Sequence, residues 1–89
     1  EIHIKDLVSH MKNKDFTNAR KWAVENLDNS PSELFRKVYD GLYEHTTSSS
    51  IPQAVLILAE YQYKSAFVAD QEINLVACIV ELMMGCEFK

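Results

Sequence analysis

The sequence predicts an all-α domain, a five-helix bundle with short connections and no strands. Three observations carry that prediction. Apolar residues return at helical spacing along most of the chain, beginning with Ile4, Leu7, Val8 and Met11 at i, i+3, i+4 and i+7. Two serine–proline signals, Ser30-Pro31 and Ser50-Ile51-Pro52, mark helix starts in mid-chain. Two six-residue apolar runs, Ala54-Val-Leu-Ile-Leu-Ala59 and Leu75-Val-Ala-Cys-Ile-Val80, cover a helix all round, because successive side chains step by about 100°.

The first helix sets Ile4, Leu7, Val8 and Met11 against a polar side of His3, Lys5, Asp6, Ser9, His10 and Lys12. Asn13-Lys14-Asp15 breaks the pattern, and Asp15 is a fair N-cap for a second helix whose apolar face holds Phe16, Ala19, Ala23 and Leu27. Trp22 falls on the flank of that face, either at a second contact or at the rim of the same core. Ser30 as N-cap, Pro31 in the first helical position and Glu33 three residues on form a capping box, so a third helix starts there. Its apolar set is Leu34, Phe35, Val38, Tyr39, Leu42 and Tyr43, and Gly41 on its polar side implies close approach of a neighbour or a nearby helix end. After the polar loop Thr46-Thr-Ser-Ser-Ser50, Ser50 and Gln53 repeat the capping logic and launch a fourth helix to about Ala69. Asp70 is the expected N-cap of a fifth helix, with Gly85 as its left-handed stop.

One domain, residues 1–89, accounts for the length, and 47% apolar with 25% charged residues is globular composition. The longest apolar run falls far short of the roughly 20 residues needed to cross a bilayer, so a membrane partner is not expected. The chain begins at Glu1 and enters a helical pattern almost at once, which leads us to expect a piece of a longer polypeptide. A net charge of −4 is unlike a free-standing nucleic-acid module, whose affinity comes mostly from phosphate neutralisation. A modest basic cluster of Lys12, Lys14, Arg20 and Lys21 has two readings, a solvated face or a weak nucleic-acid contact. Cys78 and Cys86, on one predicted helix and about 12 Å apart along it, cannot pair with each other. They read as reduced, buried thiols of a cytosolic protein.

Catalytic patterns are missing. With Gly41 and Gly85 the only glycines, no glycine-rich phosphate loop can form. His3 and His10 have no second pair of ligands spaced to complete a zinc site, and Ser9-His10 lacks the base and orienting group of a nucleophilic centre. The expectation is a non-enzymatic piece with no catalytic, cofactor-binding or metal-binding residues.

The segments Ala19-Arg-Lys-Trp-Ala-Val-Glu-Asn-Leu27, Leu34-Phe-Arg-Lys-Val-Tyr-Asp-Gly-Leu-Tyr43, Ser50-Ile-Pro-Gln-Ala-Val-Leu-Ile-Leu-Ala59, Tyr61-Gln62-Tyr63 and Phe67-Val-Ala-Asp-Gln-Glu-Ile-Asn-Leu-Val-Ala77 closely resemble the C-terminal collar domain of T-even-type bacteriophage sliding-clamp-loader ATPase subunits, relatives of the replication factor C small subunits in the AAA+ family. The resemblance spans essentially the whole chain and rests on overall sequence, with no short catalytic motif in it. It implies a subunit of a ring-shaped complex, with a different fifth subunit, that opens the sliding clamp and places it on primer–template DNA. The collar would hold the subunits together in the cytoplasm of the infected host cell. ATP and Mg would belong to upstream domains, whose ATP-binding loop, acidic metal-binding motif and arginine finger have no counterpart here.

Periodicity leads to a compatible expectation by its own route. The last two helices carry more apolar surface than a domain of this size can hide, since only about 60% of the unfolded chain's surface is buried near this length. Candidate contacts with neighbouring subunits are Ile57, Tyr61, Tyr63, Phe67, Ile79, Leu82 and Met83, with Trp22 in addition. Each would serve equally as core of a tight bundle. In the fifth helix the clear polar stripe is Asn74 and Glu81, while Ile73, Val76, Val80, Met83 and Met84 occupy the side that solvent would normally take. Two other classes remain open: a helical DNA-binding module using the basic cluster, and an adaptor taking a partner's amphipathic helix in a groove.

Overall fold

The computed structural model describes residues 1–89 as five helices: α1 (Ile4–Lys12), α2 (Phe16–Glu25), α3 (Pro31–His45), α4 (Ile51–Lys64) and α5 (Gln71–Gly85). The all-α bundle is the fold, and its one extended pairing is an isolated antiparallel bridge between Thr46 and Phe88. α5 packs on α1, α2 and α4, and α3 closes the bundle between α1 and α4. Leu7, Met11, Leu42, Ile79 and Leu82 are fully buried, so the core draws on α1, α3 and α5 together.

Local chemistry sets the helix starts. Asp15 accepts the Asn18 N–H at 3.1 Å, Ser30 accepts the Glu33 N–H at 3.3 Å, and Asp70 accepts the Glu72 and Ile73 N–H groups at 2.9 and 3.2 Å. Each satisfies a donor that the first helical turn leaves without a partner. Lys14 takes a left-handed backbone (φ 56°) to turn the chain from α1 into α2. Gly41 is set by close approach: an added Cβ would lie 2.1 Å from the Ile4 Cγ2, so α1 and α3 meet there at a distance that only glycine permits.

Three local expectations need correction. α4 ends at Lys64 rather than near Ala69, because the Ser65 hydroxyl turns back to the Gln62 carbonyl at 2.6 Å and the Gln71 side-chain amide takes the Ser65 carbonyl at 2.8 Å. Those bonds stabilise a turn where helix would otherwise continue. Gly85 has no positive φ; α5 leaves through an extended Cys86, since the chain continues into the bridge at Phe88. Ser50 does not cap α4 with its side chain.

Candidate subunit interface

Of the eight side chains singled out for contact, six lie inside their own chain. Ile57, Tyr61, Ile79, Leu82, Met83 and Trp22 are all buried and have almost no surface to offer another subunit. Trp22 belongs to the core cluster, and its indole N–H donates to the His3 carbonyl at 2.9 Å. Tyr63 and Phe67 are the two that face out, with ring centroids 5.2 Å apart.

They do not stand alone. On α4 the exposed Pro52, Leu56, Ala59 and Tyr63 recur at i, i+4, i+7 and i+11, opposite the buried Ala54, Ile57, Leu58 and Tyr61. Phe67 extends that row past the helix end. On α5 the exposed Ile73 and Met84 bracket the half-buried Val76, Ala77 and Val80 to make a second row. The five largest exposed groups of the two rows are open to solvent by 67% (Leu56), 67% (Tyr63), 72% (Phe67), 68% (Ile73) and 81% (Met84). Beside the α4 row, an open groove of about 330 Å³ lies between α3 and α4, lined in part by Phe35, Arg36, Tyr39, Val55, Leu58 and Gln62.

The polar groups of these helices explain which way they face. Asn74 is buried and donates its amide to the Tyr61 carbonyl at 3.1 Å. Glu81 accepts the Tyr61 hydroxyl. Asn74 is therefore turned toward α4, while Glu81 stays exposed and reaches the Tyr61 hydroxyl from the rim, and Ile73 and Met84 are left outside. A buried amide or hydroxyl without a partner carries a penalty of about 1–3 kcal/mol, so this pairing fixes the rotation of α5 about its axis. Sequence periodicity points to Ile73, Val76, Val80, Met83 and Met84 as the outward side; Ile73 and Met84 are exposed, Val76 and Val80 half-buried and Met83 buried, and nothing in the pattern shows that Asn74 and Glu81 have partners within the chain.

The basic cluster is divided between other tasks. Lys14 donates its ammonium to the Met83 carbonyl, one of the α5 C-terminal carbonyls that lack a helical partner. Arg20 pairs with Glu72 at 3.1 Å, leaving Lys12 and Lys21 exposed on separate helices. Burial pushes the Cys78 thiol up to about 12 and raises Cys86 as well, which keeps both protonated and unreactive near neutrality. No three His, Cys, Asp or Glu side chains are grouped so as to hold a metal ion. No protein-family model matches this chain, and no curated protein matches it.

Proposed function

We propose that this chain is a subunit-assembly module whose outward rows on α4 and α5 pack against neighbouring subunits. The observation that carries the reading is the face of α5, with Asn74 buried and bonded inward, Glu81 tied to the Tyr61 hydroxyl at the rim, and Ile73 and Met84 left in water. Five exposed side chains, each about two-thirds open, would gain on the order of 5–10 kcal/mol from full burial at about 1.5–3 kcal/mol apiece. Association opposes that gain by about 4–15 kcal/mol through lost translational and rotational freedom, so a stable assembly would bury more surface than these five side chains.

The resemblance to clamp-loader collar domains supplies the kind of assembly. The chain would be the collar of an AAA+ ATPase subunit, joining like and unlike subunits into a ring that loads a sliding clamp onto primer–template DNA. ATP and Mg chemistry would sit in other domains of the same polypeptide. Here the collar's task is mechanical: it fixes the order and spacing in which the ATPase domains meet.

Sedimentation of the chain, alone and with its fellow subunits, tests the reading. Phe67→Asp combined with Ile73→Asp is expected to leave helix content and melting temperature near those of the parent, since both residues are exposed, and to abolish assembly. A chain that remains monomeric at high concentration, together with a double variant that assembles normally with other subunits, would overturn it.

A further inference from the structure

The two serine–proline helix starts are built differently. Ser30 has an extended backbone (φ −64°, ψ 144°), and its hydroxyl caps α3. Ser50 has a helical backbone (φ −95°, ψ −11°) and gives α4 no side-chain cap. Its hydroxyl instead accepts the Glu87 N–H at 3.0 Å, from the far end of the chain. Two more bonds pin that tail on either side of the Thr46–Phe88 bridge: Thr47 N–H to the Glu87 carbonyl at 3.0 Å, and Lys89 N–H to the His45 carbonyl at 2.9 Å. Phe88 packs, half-buried, on the core. Working against these contacts, the hydroxyls of Thr46 and Thr47 are buried at the same junction without a hydrogen-bond partner. A stranded hydroxyl opposes the closed arrangement by about as much as one or two hydrogen bonds support it.

We infer that residues 87–89 form a latch with two states, held closed by the Ser50 hydroxyl. In the closed state Ser50 holds the Glu87 N–H. In the open state the tail lifts, the Ser50 hydroxyl releases the Glu87 N–H, and the threonine hydroxyls reach water. Opening releases the last turn of α5, which carries Met84 at one end of the outward row. The latch rests on the fold alone and stands whether or not that row is an interface.

Amide hydrogen exchange on the whole chain tests it. The Thr47, Glu87 and Lys89 amides are expected to exchange at least about tenfold faster than the Ile79 and Leu82 amides of α5. Thr46→Val, which keeps the side-chain shape and removes one stranded hydroxyl, should slow the three tail amides by about tenfold. Ser50→Ala should speed them and leave the Ala54 and Val55 amides of α4 unchanged. The latch is overturned if the tail amides exchange only together with α5, if Thr46→Val fails to slow them, or if Ser50→Ala loosens the first turn of α4 instead of the tail.

Discussion

Along α3 the exposed residues are mostly charged, Glu33, Arg36, Lys37, Asp40 and Glu44 with Tyr43 among them, whereas along α5 Glu81 is the one exposed charge beside Ile73 and Met84. Both helices span 15 residues and both contribute to one core, so length and burial do not explain the contrast. The difference lies in where the polar groups go. α3 sends its charges outward, where Arg36 pairs with Asp40 at 3.2 Å and lies over the Tyr39 ring. α5 turns Asn74 toward α4, ties the exposed Glu81 to the Tyr61 hydroxyl and leaves the Ile73 and Met84 side chains in solvent. Nothing in the stability of an isolated bundle favours the second arrangement, because exposed apolar surface contributes nothing to folding that a polar residue would not. α3 is fitted to water, and α5 leaves Ile73 and Met84 exposed, as the proposed assembly would require.

Neighbouring residues on α5 give the sharpest way to break that comparison. Leu82 is fully buried, and Leu82→Ala is expected to lower stability by about 2–5 kcal/mol, through lost transfer energy and the cavity left behind. Met84, two residues on, is 81% exposed, and Met84→Ala should change the unfolding free energy measured in urea by no more than about 0.5 kcal/mol. Equal losses for the two would mean that the outward row is covered by its own chain.

A smaller effect separates the two regions from the other side. Gly41→Ala in α3 places a methyl group 2.1 Å from the Ile4 Cγ2, where alanine would ordinarily strengthen a helix by about 1 kcal/mol over glycine. Overpacking should reverse the sign and destabilise by about 1–3 kcal/mol. Adding Ile4→Ala to Gly41→Ala should recover part of that loss, measured as the coupling in a double-mutant cycle; strict additivity would show that the two helices do not touch there.

How much of this was legible in the sequence follows from the kind of force involved. Helix starts at Asp15, Ser30 and Asp70 were readable because a capping side chain bonds an amide two or three residues away. The close approach at Gly41 was readable as one of two alternatives, since glycine inside a helix weakens it without a packing reason. Ser50 was misread because its partner, Glu87, lies 37 residues away and no local pattern encodes it. The candidate contacts stay divided between interface and core for a related reason. Six-residue apolar runs show that a helix is wet on an apolar side but not which side, and the rotation of α5 is decided by Asn74 reaching the Tyr61 carbonyl. Ile79 and Leu82, readable from the sequence as contact or as core, lie inside, while Leu56, Ile73 and Met84 form the exposed rows with Tyr63 and Phe67.

The bond that helps set this rotation gives the smallest effect, and pH separates it from packing. The hydroxyl of Tyr61 donates to the Glu81 carboxylate, and that bond, followed by burial and the nearby carboxylate charges, pushes the phenol up from its ordinary value near 10 to about 12. Between those values the unfolded chain has released the proton and the folded chain still holds it. The contribution is thus complete below about pH 10 and is lost as the pH rises through about 12. Tyr61→Phe keeps the ring in place and removes the bond, so it should lower stability by about 1 kcal/mol near neutrality. Urea midpoints of parent and variant, compared from about pH 8 upward, should converge as the pH passes from about 10 toward 12, because only the parent has a phenol to titrate. A gap that stays constant across that range would assign the loss to ring packing, and would leave the inward pairing of α5 resting on Asn74 alone.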